Sequence, residues 1–141
     1  MSTFLEKLEL FTAKRHTSGC SIDEIESLVR QGNVELPVSY RQFMLVAGRG
    51  VDDFLQGSDF TFDELDDMRE AADELLVESG LNRLTSDSFV FAMHQGYQFY
   101  FFQNGKVYYY LEGEDHIERR FASFEEFFDS EISDIEKYKN K

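Results

Sequence analysis

Across 141 residues, 28 Asp and Glu against 14 Lys and Arg leave a formal charge of −14 with His neutral. A field of that sign repels DNA, RNA and anionic lipid, which excludes a direct nucleic-acid or membrane-surface binder, and it speeds the encounter of basic partners. Fifteen Phe and seven Tyr without Trp argue against disorder and for one ring-rich domain over 1–141, while a lone Cys20 excludes an intrachain disulfide.

The first residues, MSTFLEKLELF, place Glu6 and Glu9 where a secretion signal needs an unbroken apolar run, and no later stretch approaches a membrane span. The expectation is a protein that stays in the reducing cytoplasm. Phe4, Leu8 and Phe11 recur at helical spacing and predict a short amphipathic helix that ends in the polar break His16 to Gly19. Ser21 and Glu24 then form a capping box, in which each side chain satisfies the other's free backbone N–H. Ile22, Ile25, Leu28 and Val29 are expected to form the buried stripe of the helix that follows, up to Gly32.

Pro37 suits the first turn of a third helix, because the N–H it lacks would be unsatisfied there anyway. Tyr40, Phe43, Met44 and Ala47 line one face of that helix, and Gly48 is expected to stop it by turning left-handed. Val51 to Asp59 reads as a polar loop. Thr61 with Glu64 forms a second capping box, opening a long helix with Leu65, Met68, Ala72 and Leu75 inward and an acidic outer face, ended by Gly80.

From Phe89 the period changes from 3.6 to 2, and aromatic and β-branched residues run to Phe121, interrupted at His94-Gln95-Gly96 and at Glu112 to Asp115. This predicts an antiparallel meander of four strands or more, centred on Asn104-Gly105, a dipeptide suited to the two positive-φ positions of a type I′ turn. A two-residue loop there pairs Phe102 with Val107, Tyr100 with Tyr109 and Gln98 with Leu111 on one face, and Phe101 with Tyr108 and Phe99 with Tyr110 on the other. Both faces are aromatic, so both must be covered: the Phe102 face by helices, the other by something else, a partner included. Ser123 and Glu126 form a third box, and Phe124, Phe128, Ile132 and Ile135 line a last helix whose terminal Lys137, Lys139 and Lys141 complement its dipole. The fold class is α+β, with the meander packed against N-terminal, middle and C-terminal helices.

Few side chains form a chemical constellation. His16 and Cys20 resemble a thiol with its base but lack a third orienting group and an oxyanion site. Glu112, Glu114, Asp115 and His116 offer oxygens and an imidazole without the ligand alternation and glycine of a calcium loop. Gly48-Arg49-Gly50 follows a helix, whereas phosphate loops follow a strand and open a helix. No catalytic, cofactor or metal residues are therefore assigned. Tyrosine is favoured where a partner buries a ring while its hydroxyl keeps a hydrogen bond, so Tyr97, Tyr108 and Tyr110, placed on one hairpin face, are the candidate docking residues. Glu112, Glu114 and Asp115 are added as their acidic neighbours.

Taken in order, these pieces resemble the SUKH superfamily over roughly Ser21 to Ile132. The matching parts are the capped helix Ser21 to Arg30 and Leu36-Pro37 with Tyr40, Phe43 and Leu45 before Gly48 and Gly50. They continue with Phe91-Ala92, the strands at Tyr100 to Gln103 and Val107-Tyr108-Tyr109, and Ala122-Ser123-Phe124 with Phe127. One departure is Gly48-Arg49-Gly50, where the family often shows residues resembling Asn-Gly-Gly; if that loop contacts partners, Arg49 changes what it could bind. The resemblance implies a non-catalytic α+β domain that binds and neutralises a toxin, frequently a nuclease or nucleic-acid deaminase, inside the producing cell. A −14 chain suits such a basic partner. The alternatives are a regulatory or scaffolding adaptor of the same fold, or a small ligand-binding domain with the aromatic sheet as a pocket wall.

Overall fold

A computed structural model describes residues 3–32 and 35–139, with side chains at 31, 32, 138 and 139 outside that description. Helices α1 (Phe4–Thr12), α2 (Ile22–Gly32) and α3 (Val38–Ala47) come first, with strand β1 (Thr17–Ser18) between α1 and α2. Strands β2 (Gly50–Val51) and β3 (Ser58–Asp59) lead through a 3-10 turn at Phe62–Glu64 into α4 (Leu65–Glu78). Strands β4 (Phe89–His94), β5 (Gln98–Gln103), β6 (Lys106–Leu111) and β7 (Glu118–Phe121) precede α5 (Phe124–Lys139).

The meander forms as expected and gains an edge strand, giving a five-stranded antiparallel sheet in the order β3-β4-β5-β6-β7. Its central register pairs Gln98 with Leu111, Phe99 with Tyr110, Tyr100 with Tyr109, Phe101 with Tyr108 and Phe102 with Val107, all as the turn chemistry requires. Asn104 at φ 53° and Gly105 at φ 76° make the turn. The stretch 51–59 is not a plain polar loop: β2 pairs with β1, β3 pairs with β4, and Phe54 between them is buried.

The caps explain where helices start. Ser21 N–H donates to Glu24 Oε1 at 2.9 Å and Glu24 N–H to Ser21 Oγ at 3.1 Å, closing the first box. Glu126 N–H donates to Ser123 Oγ at 3.2 Å, while the Glu126 carboxylate reaches one residue further back, to Ala122 N–H at 2.9 Å. At Thr61 the Glu64 carboxylate accepts both the backbone N–H at 3.2 Å and the hydroxyl at 2.6 Å, and the chain makes the 3-10 turn before α4 begins. Ile25 and Leu28 are buried, but Ile22 is 64% exposed: it stands on the first turn of α2, outside the stripe that meets α3. The expected lysine complement at the α5 terminus falls partly outside the described residues, since the Lys139 side chain and Lys141 are not among them.

Gly48 ends α3 for a different reason than anticipated. Its φ is −66°, a right-handed value open to any residue, so no left-handed turn is made there. Space decides instead, since a Cβ on Gly48 would sit 2.6 Å from both Cys20 Sγ and Met44 O. Gly19 is tighter still, with a Cβ position 1.8 Å from Leu45 O. Through these two glycines the 17–20 segment lies directly on α3, where Cys20 N–H donates to Met44 O at 2.9 Å.

The core is one cluster of rings between the sheet and its helices. Tyr40 on α3 meets Phe89, Phe91, Phe102 and Phe124 edge-on at 5.0–6.0 Å. Phe127 on α5 packs edge-on against Phe91 at 5.0 Å and Tyr100 at 4.9 Å. The Phe102 face therefore turns to α3 and α5, as read from its hydrocarbon content. The other face is covered by the chain itself: α4 packs on β4, and segment 81–88 comes against Phe101 and Tyr108. Phe99, Phe101 and Tyr110 on it are buried within the chain, while Tyr108 stays half-exposed.

Candidate protein-docking site

The three tyrosines do not form one exposed patch. Tyr110 is completely buried, its ring tilted on Phe99 at 5.7 Å and its hydroxyl donating to Glu114 O at 2.7 Å. It faces the interior because α4 covers that side of the sheet, so it offers no surface to a partner. Tyr108, half-buried, stacks on Phe101 at 5.3 Å with the rings 17° apart, beside a shallow hollow shared with Leu84, His116 and Ile117. Tyr97 belongs to the β4–β5 turn rather than a strand, and its ring stands edge-on to His94 at 5.4 Å.

What the fold does bring together is one end of the sheet. The β4–β5 turn, with Gln95 at φ 50° and Gly96 at φ 78°, adjoins the β6–β7 turn, because Glu112 N–H donates to Tyr97 O at 2.8 Å. Glu112, Glu114 and Asp115 are all exposed in that second turn, which Gly113 opens at φ 89° and the Tyr110 hydroxyl anchors. Glu114, Asp115 and His116 place one ligand atom each within 4.8 Å of one another. The Asp115 carboxylate lies 2.9 Å from His116 Nδ1, which holds Asp115 below and His116 above their ordinary ranges. With every group fully in water, such a contact is ordinary surface pairing.

Two features of this end escape a linear reading. The loop 52–57 carries Asp53 at φ 71° and Leu55 at φ 47°, left-handed values rare for residues other than glycine. Behind that loop Glu131 on α5 is half-buried, and that burial, with a further push from Asp134, raises its carboxyl to about 7. Glu131 is four residues after Phe127 and four before Ile135 on α5, and helical spacing alone gives no hint that this carboxylate is half-buried rather than part of a solvated acidic face.

Arg49 proves to be structural. It pairs with Glu24, donates to Asp63 at 2.9 Å and lies 5.2 Å over the Phe62 ring, tying the start of α2 to the 3-10 turn. Cys20 is buried and its thiol is pushed up to about 11, chiefly by burial. It therefore presents almost no thiolate at neutral pH, and His16 is exposed on the strand side. On β7, Arg120 lies 3.8 Å over the Tyr109 ring and donates to the Tyr100 hydroxyl at 3.4 Å and to Glu118 at 3.2 Å.

The architecture is that of an α+β protein with an acidic, partly aromatic end to its sheet. Residues 19–130 match the model of the SMI1 / KNR4 family (SUKH-1), and the chain belongs to that family. No curated protein matches it. Among the described residues no helix is long and apolar enough to cross a membrane.

Proposed function

We propose that this chain is a single-domain, cytoplasmic immunity protein that binds a basic protein toxin, a nuclease or a nucleic-acid deaminase, and neutralises it by occlusion without chemistry of its own. The observation that carries the reading is the acidic end of the sheet. There Glu112, Glu114 and Asp115 stand exposed on a turn braced from the core and tied to Tyr97 in the neighbouring β4–β5 turn. Family membership supports it, since a SUKH domain is consistent with a toxin-immunity or related role. The charge of −14 supports it as well, because enzymes that grip phosphate backbones are themselves basic and are steered toward such a field. Tyr97 and Tyr108, the half-buried tyrosines, remain the ring contacts of this reading, with Tyr108 on a separate surface.

The test is neutralisation of a secreted toxin encoded beside this chain. Co-expression should restore growth of toxin-producing cells, and the purified pair should form a one-to-one complex whose association slows as salt is raised. A chain that neither restores growth nor binds would overturn it, and an on-rate indifferent to salt would remove electrostatic steering from the account. The absence of any toxin gene nearby would favour the adaptor reading of the same fold.

A further inference from the structure

This inference deepens the reading of the chain as a binder of a basic protein by naming what that protein inserts, and where. Between loop 52–57, the adjoining ends of β4 and β5 and the second half of α5 lies an open hollow of about 560 Å³. Leu55, Tyr100 and Ile135 provide apolar and aromatic wall, and Glu131 and Asp134 provide carboxylates. The size suits a well-formed ligand site, and the mixture of apolar wall with a few polar groups is what such sites need.

Glu131 is the anomaly within it. Its carboxylate has no hydrogen bond or ion pair among the described residues, although the residue is half-buried in the wall of the hollow. Elsewhere this chain gives partly buried carboxylates an arginine of its own: Arg15 Nε lies 3.1 Å from Asp53, Arg69 Nε lies 3.1 Å from Asp73, and Arg49 pairs with Glu24. A partly desolvated charge without a partner is less favourable than a paired one. The groups facing Glu131 do not supply that cation. Asp134 follows it on α5, Tyr100 faces it from β5, and Asp53 in the loop is bound to Arg15. On β4, His94 Nδ1 is engaged with Ser58 Oγ at 2.8 Å. Arg120, the guanidinium near the same rings, is engaged with Glu118 and the Tyr109 ring.

We propose that this hollow receives an arginine side chain of the partner protein, its guanidinium paired with Glu131 and Asp134 and its stem laid along Tyr100, Leu55 and Ile135. Arginine fits better than lysine because its planar, weakly hydrated head pairs with carboxylates while stacking on rings. The adjoining surface already does this with an internal residue, since Arg120 covers Tyr109 and bonds the Tyr100 hydroxyl. The left-handed Asp53 and Leu55 keep the facing wall in a conformation that local preference disfavours, as is common at ligand clamps.

The probe is N-acetyl-L-argininamide, a capped arginine without competing terminal charges, titrated into the isotope-labelled full chain and followed by amide chemical shifts. N-acetyl-L-citrullinamide serves as the uncharged isostere. Shifts centred on Ser58, Gln98, Tyr100 and Ile135 with the arginine probe, loss of those shifts with citrulline, and roughly tenfold weaker binding to Glu131→Gln are the expected results. Equal response to both probes, shifts centred elsewhere, or unchanged affinity in Glu131→Gln would overturn the proposal. Glu131→Gln removes a partly buried, unpaired charge, so its melting temperature should not fall, and Asp134→Asn, an exposed variant, should weaken the arginine response as well. No toxin enters this titration, so its outcome is separate from neutralisation. A chain that restores growth but ignores the arginine probe loses only this inference, and one that binds the probe without restoring growth loses only the proposed function.

Discussion

The Tyr110 hydroxyl donates to the Glu114 carbonyl at 2.7 Å, so a ring sealed inside the sheet holds the exposed acidic turn in place. Tyr110→Phe should keep the ring and lose the bond, destabilising the fold by about 1 kcal/mol in urea titration. Amide exchange should rise at 112–115 while the rest of the sheet is unchanged. Tyr110→Ala should cost about 3–5 kcal/mol, the price of a large cavity, so reduced binding by that variant would report unfolding rather than a lost contact.

Tyr40 carries the opposite lesson. Its hydroxyl is buried without a hydrogen-bond partner among the described residues, while its ring touches four others. Burial, with a smaller contribution from Cys20, pushes that phenol well above its ordinary range. Tyr40→Phe retains every ring contact and removes the unsatisfied oxygen, so thermal and urea unfolding should show a gain of about 1–2 kcal/mol. A loss would reveal a buried water serving that hydroxyl.

Glycine substitutions should separate space from backbone conformation. Gly19→Ala places a methyl 1.8 Å from Leu45 O, a backbone atom that can move only with α3, and should destabilise by more than about 3 kcal/mol. Gly105→Ala meets nothing within 4 Å and bears only the strain of its φ of 76°, about 1–2 kcal/mol. Comparable losses at the two positions would contradict this contrast.

Glu131 predicts a pH dependence of stability. Its carboxyl titrates at about 7 in the folded chain against 4.5 ordinarily, so the folded state holds the proton more tightly. The associated stability is fully present below pH 4.5 and is lost as pH rises through 7, on the order of 3 kcal/mol at most. Glu131→Gln should flatten this slope between pH 5 and 8 and be the more stable protein at pH 8, as read from urea midpoints across that range.

Charge reversal at the acidic turn tests steering directly. Glu112→Lys, Glu114→Lys and Asp115→Lys together should slow association with a basic toxin roughly tenfold at low salt, with the difference shrinking as screening increases. All three side chains point to solvent, so circular dichroism should show an unchanged fold.

Much of this architecture was legible residue by residue. Ser21 with Glu24, Ser123 with Glu126, and Asn104-Gly105 act over at most four positions, so their caps and register follow from chemistry that neighbours supply to each other. The docking residues were harder to read. Tyr108 and Tyr110 share a strand face and a residue type, yet one is half-buried and the other sealed, because α4 and segment 81–88 cover that face unevenly. Exposure sums over elements far apart in the chain, and alternation along one strand contains no part of that sum.

Linear order thus specified the helix starts, the hairpin register, the net charge and the family, since each depends on composition or on contacts within one or two turns. Tertiary packing alone decided that Gly48 is required for room rather than for a left-handed turn, that the 51–59 stretch adds an edge strand, and that Glu131 lies half-buried in the wall of a hollow. Those outcomes arise where distant segments meet, and the space and dielectric at such a meeting belong to no single stretch of chain.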